Sequence, residues 1–147
     1  MKIQTHFHLK NQKKNTEYKR VLIYINKNTE LDTNTKFRKA ICRILNKESW
    51  SLNSKVCAGS KITISASNTN TGIAVQTGNI ARVYADLIKL CAMQKNGRIK
   101  TAILLLPCKK LASKWGSNTA NYERVIHELA LFKKVINKPL IILGVTK

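Results

Sequence analysis

Residues 64–87 read "ISASNTNTGIAVQTGNIARVYADL", a pattern of strand, turn, strand and helix on which the rest of the fold depends. "KITISAS" (61–67) and "TGIAVQT" (71–77) are β-branched, apolar and of strand length. Asn68 and Asn70 lie in the short stretch between them and tolerate turn geometry. So short a join implies antiparallel pairing, which alone accepts a tight connection. Ile80, Val83, Leu87, Leu90 and Cys91 then recur at helical spacing, with Asn79 placed as an N-cap and Gly97 as the stop. Before Asp86 the whole stretch carries no acidic side chain.

Downstream, "TAILLLP" (101–107) is the continuous apolar run of a strand buried on both faces, and "PLIILGV" (139–145) repeats it. "KKLASKWGSN" (109–118) is expected to be a short connection, and "NYERVIHELALFKK" (121–134) a helix through Val125, Leu129 and Phe132. Upstream, "NTKFRKAICRILNKES" (34–49) sets Phe37, Ala40, Ile41, Ile44 and Leu45 at helical spacing, with Asp32, Thr33, Asn34 and Thr35 available as caps. Lys36, Arg38, Lys39, Arg43 and Lys47 cover much of its remaining surface, as a solvated face or as one apposed to phosphate. "KIQTHFHL" (2–9) and "RVLIYIN" (20–26) read as two strands of an N-terminal hairpin over residues 1–30, with the basic "KNQKKNTEYK" between them. From Thr33 onward the order is α-β-β-α-β-α-β. The fold class expected is α/β, with a mixed central sheet flanked by helices, in a single domain over 1–147 whose core spans 33–147.

Charge narrows the function. Lys and Arg number 27 against 7 Asp and Glu, a formal +20, which repels itself unless a polyanion neutralises it. Nucleic acid is the leading partner, and a merely Lys- and Asn-rich composition is the bland alternative. A membrane partner ranks far lower: no apolar run approaches the roughly 18 residues of a span, and no amphipathic helix combines a uniformly basic face with aromatic anchors. The opening "MKIQTHFHLKNQKK" lacks the unbroken apolar stretch of a signal peptide, so a cytoplasmic protein is expected. Cys42, Cys57, Cys91 and Cys108 form no C-x-x-C pair, and three of them lie in apolar patterns, as buried free thiols would. His6 and His8 share one side of the first strand without a third ligand nearby, which reads as a solvated face; His127 stands alone and reads as structural.

The order helix, strand, strand, helix, strand, together with "GIAVQTGNIARVYADLIKL", resembles the catalytic core of the PD-(D/E)XK superfamily, in the type II restriction-endonuclease branch that includes BamHI, BglII and BstYI. The resemblance covers about Lys61 to Val145. It implies a restriction-endonuclease-like fold, a homodimer on double-stranded DNA, and a Mg2+-dependent phosphodiester-cleaving site. In that family the first strand ends on a metal-binding Asp, and the second presents an acid, a hydrophobic residue, and then Lys, Glu or Gln. Carried over by position, the Asp falls on Ser65, the acid on Ala74 and the third position on Gln76, so both acids are missing.

Mg2+ needs near-octahedral oxygen coordination, with one or two protein carboxylates among the ligands, and a methyl at residue 74 supplies none. Alternation puts Ala74 and Gln76 on one face of the strand. A site degraded naturally or by deliberate inactivation is one reading; relocation of the acids is another, with Asp86 as the weak metal candidate and Glu30, Asp32 or Glu48 bordering the cleft. Asp86 also stands four residues after Arg82, as a helical ion-pair partner would. For DNA, the family positions make Asn79 and Arg82 groove-side candidates, while Lys109, Lys110 and Lys114 suit phosphate. Trp115 reads as core beside Leu111. A basic RNA-binding or structural protein with no nuclease descent is the remaining alternative.

Overall fold

The computed structural model describes residues 2–8, 16–27 and 33–146. Six strands form one mixed sheet: β1 (Lys2–Phe7), β2 (Ser51–Leu52), β3 (Ala66–Ser67), β4 (Thr71–Val75), β5 (Thr101–Pro107) and β6 (Leu140–Thr146). Their spatial order is β1-β6-β5-β4-β3-β2. The centre is parallel, with Ile73 opposite Ile103 and Ile103 opposite Ile141, and the outer pairs are antiparallel. Every residue of β5 is buried, as its unbroken apolar run requires of a strand covered on both faces.

Helices cover the two faces: α1 (Glu17–Lys27), α2 (Asn34–Lys47), α3 (Ala81–Lys95), α4 (Lys109–Trp115) and α5 (Tyr122–Leu129). Period-two alternation sorts the strand residues. Ala74, Leu104, Leu106 and Ile142 pack with Val83, Leu87 and Leu90 of α3 and with Val125 of α5. Ile73, Val75, Leu105 and Leu143 pack with Val21 of α1, with Phe37 and Ile41 of α2, and with Leu111 of α4. The result is a helix–sheet–helix sandwich with two apolar layers. Gly144 of β6 lies where α5 approaches, and a Cβ there would stand 2.5 Å from Cγ of Tyr122.

Local signals account for several boundaries. The Thr33 side chain accepts from the Lys36 N–H at 3.2 Å and caps α2. Gly97, at φ +69°, lies beyond the end of α3 in the left-handed region that glycine enters without strain. Asn68 Oδ1 accepts from the N–H groups of Asn70 and Thr71 at 3.0 and 2.8 Å, which fixes the turn between β3 and β4.

Three expectations are corrected. Residues 20–26 are helical: Tyr18, Val21 and Ile25 form one stripe of α1 buried against the sheet, so burial at helical spacing overrides the β-branched composition. The partner of β1 is therefore β6, and no hairpin joins β1 to residues 20–26; the loop residues 9–15 lie outside the described residues. Residues 109–115 form helix α4, because Leu111 and Ala112 insert into the core. Residues 61–67 are regular strand only at Ala66–Ser67; the rest pairs irregularly with residues 53–56, where Ile64 N–H bonds Ser54 O at 2.9 Å and Asn53 N–H bonds Ser65 O at 3.0 Å. No described helix is long and apolar enough to cross a membrane.

Candidate functional site

A cleft of about 400 Å³ opens at the carboxyl end of β4, between α3, α2 and the irregular pairing of 53–65. Ser65, Gln76, Arg82, Asp86, Lys89 and Arg38 all line it. Gln76 leaves β4 with its N–H on Leu105 O at 2.8 Å, continuing the parallel ladder by one residue. Its side chain is fixed at both ends: Oε1 accepts from the Gly78 N–H at 2.8 Å, and Nε2 donates to Asp86 Oδ2 at 2.8 Å. The other Asp86 oxygen receives Lys89 Nζ at 3.1 Å. Ser65 Oγ accepts from the Val75 N–H at 2.9 Å, replacing a ladder carbonyl at the strand end. From α2, Arg38 Nη1 donates to Val75 O at 2.9 Å and carries its guanidinium across to the cleft.

The structure thus brings Ser65, Gln76, Arg82 and Asp86 together. Ala74 shares the α3 face with Gln76, as alternation requires, yet it is only 1% exposed and packs in the apolar cluster with Ile64 and Leu87. It does not line the cleft, so of the two positions expected on the catalytic face only Gln76 reaches it. The partner of Asp86 is Lys89, one turn on, rather than Arg82. Asn79 is exposed and its Oδ1 accepts from the Ala81 N–H at 2.8 Å, which satisfies a first-turn amide of α3. Lys109, Lys110 and Lys114 are exposed on α4, outside the cleft. The Lys109 N–H donates to the Glu123 carboxylate at 2.7 Å. Trp115 is half-buried against Phe37, with ring centroids 5.5 Å apart. Glu30 and Asp32 lie outside the described residues, and Glu48 is exposed just past α2.

Sequence reasoning missed the cleft roles of Lys89 and Arg38. The signal for Lys89 was its place three residues after Asp86 on the same helical face; Arg38 was visible only as one of five cations on α2. Three cations facing one carboxylate give the lining a formal excess of two positive charges. As a donor set for Mg2+ these groups do not fit. The one carboxylate is shared by an ammonium and an amide, and Gln76 Oε1 and Ser65 Oγ already accept backbone N–H groups. Among the described residues no group of three or more His, Cys, Asp or Glu is placed to hold a metal.

Elsewhere, His8 is buried and its Nε2 bonds Ile136 O at 2.9 Å, which corrects the solvated-face reading of the His6–His8 pair. The pKa of His6 lies below its ordinary value, first through burial and then through His8 and Lys133. All four cysteines are free, but only Cys108 is buried; Cys57 is exposed, and Cys42 and Cys91 are half-buried. His127 is exposed near the end of α5. A larger groove of about 490 Å³, lined by Tyr84, Ile88, Phe132 and Val135 among others, is mostly apolar, with Cys91 and Lys95 also in its lining.

The sequence profile of a family described as restriction endonuclease BglII/BglIII matches residues 3–145. The chain belongs to that endonuclease family. The fold agrees: the solved structure of restriction endonuclease BglII complexed with a DNA 16-mer superposes with a TM-score of 0.82 at 16% identity, covering 100% of this chain and 79% of that one. Free BglII superposes at 0.73 and 15% identity, covering 100% and 80%. Comparison with curated proteins gives no match. Membership of the BglII/BglIII family sets aside the reading of a basic protein with no nuclease descent.

Proposed function

We propose that this member of the BglII/BglIII family binds double-stranded DNA, as a homodimer in the cytoplasm, with its Mg2+-dependent phosphodiester cleavage lost at the positions of Ser65 and Ala74. The observation that carries this reading is the sign of the cleft. A Mg2+ site needs one or two protein carboxylates free to coordinate, whereas here the single Asp86 is taken up by Lys89 and Gln76, with Arg38 and Arg82 lining the same cleft. The formal +20 of the chain supports a polyanionic partner. That BglII, which shares this fold, is solved in complex with a DNA 16-mer supports a duplex as that partner.

In such a site the residues present bind and orient, and without a bound ion there is no Lewis acid on the phosphate and no activated water. Asn79 on the groove side, Arg82 in the cleft, and Lys109, Lys110 and Lys114 on phosphates are the proposed contacts. One observation favours a second reading, an active type II deoxyribonuclease with a relocated acid: Asp86 lies in the cleft and touches Gln76.

Supercoiled plasmid incubated with the protein and Mg2+ or Mn2+ separates the two readings. The expected result is retarded but uncut DNA. Nicking by the unaltered chain that disappears in Asp86→Asn establishes the second reading, and DNA neither retarded nor cut overturns both.

A further inference from the structure

We propose that the cleft at the end of β4 is a metal-free phosphate clamp, in which Arg82, Lys89 and Arg38 hold one backbone phosphodiester of the duplex and Asp86 is a positioning counter-charge. The proposal rests on the DNA-binding reading and specifies which groups at that site meet the anion. Arg82, Asp86 and Lys89 follow one another at i, i+4 and i+7 on α3, so the helix presents them along one stripe facing β4. Arg82 is exposed and lies over the Gly78 backbone, its Nη1 3.8 Å from where a Cβ on Gly78 would stand. No ion pair to a described carboxylate occupies it. Arg38 commits one N–H to Val75 O, which leaves most of a guanidinium's five donors for a ligand. Lys89 commits one hydrogen to Asp86 and keeps two.

Two guanidinium groups and an ammonium around one opening match the charge and the several acceptor oxygens of a phosphodiester. Asp86 opposes that ligand by charge, but its contacts with Gln76 and Lys89 hold the amide and the ammonium in place. A divalent ion meets the opposite situation, since the same three cations repel it. The clamp therefore puts fixed side-chain charge in the place where a metal would otherwise neutralise the backbone.

The test is fluorescence anisotropy of a labelled duplex in EDTA across a salt series, with the full chain and its Arg82→Ala, Arg82→Ala/Lys89→Ala and Asp86→Asn variants. The three cations share one phosphate, so the double variant is expected to reduce the slope of log affinity against log salt by up to about 0.9. Asp86→Asn is expected to tighten binding, because it removes the one repulsive charge. Unchanged slopes in the double variant with an unaltered melting temperature overturn the clamp while leaving DNA binding intact. Should no duplex bind, inorganic phosphate titrated against the Nε–Hε NMR signals of Arg82 and Arg38 decides. Saturable shifts of both signals in the full chain keep the clamp and discard duplex DNA as its ligand, and static signals discard the clamp as well.

Discussion

Ala74→Glu probes where position 74 points. The methyl is 1% exposed and packs among Ile64, Val83 and Leu87, so a longer side chain meets filled space rather than the cleft. Overpacking of this kind costs about 1–3 kcal/mol, and an uncompensated buried carboxylate adds about 3 kcal/mol or more. The sum, at least about 4 kcal/mol at neutral pH, is a large part of a small domain's typical stability of about 5–15 kcal/mol. Apolar surroundings raise the new carboxyl's pKa above the ordinary carboxylate range. The folded state then holds the proton more tightly than the unfolded state does, so the deficit is smallest in acid and grows as pH rises through that range. Urea denaturation of the variant and the unaltered chain at about pH 4.5 and pH 7, without divalent ions, measures both effects. A deficit under about 1 kcal/mol that does not change with pH refutes the reasoning and shows that position 74 opens onto the cleft.

Gln76→Ala removes the acceptor of the Gly78 N–H and the amide donor to Asp86, and is expected to destabilise by about 2–3 kcal/mol in urea unfolding. Because burial, His8 and Lys133 depress the pKa of His6, its neutral form is favoured in the folded state. Stability is therefore present above the ordinary histidine range and falls as pH drops through it, and His6→Gln is expected to flatten that slope in melts between about pH 7 and pH 5. Burial first, and then Glu123, push the Cys108 thiol up to about 12, so a thiol reagent is expected to modify exposed Cys57 rapidly and Cys108 only after unfolding, as peptide mapping by mass spectrometry will show.

Much of the sandwich was legible in the sequence because its signals are local and strong. The unbroken runs at 101–107 and 139–145 gave β5 and β6, and the stripe from Ile80 to Cys91 gave α3. The segment 20–26 was not legible, since Val21, Ile23 and Ile25 alternate as well as they spiral and only the neighbouring layer decides. Helix α4 was hidden by its length of 7 residues, too short for a periodic signal. At the site, alternation placed Ala74 and Gln76 on one face correctly, but depth along that face depends on where α3 ends its cover, and that is a tertiary property. The choice of Lys89 over Arg82 as the partner of Asp86 is tertiary in the same way: both spacings are permitted on a helix, and the geometry around Gln76 selects one.

The most direct measurement is duplex affinity at fixed ionic strength in EDTA and in millimolar Mg2+, with the DNA recovered afterwards and examined for strand breaks. A cationic cleft that grips phosphate without a metal gives binding in EDTA that Mg2+ does not tighten, and intact DNA in both. Affinity at least tenfold higher with Mg2+, equivalent to about 1.4 kcal/mol, or strand breaks made by the unaltered chain, would contradict it.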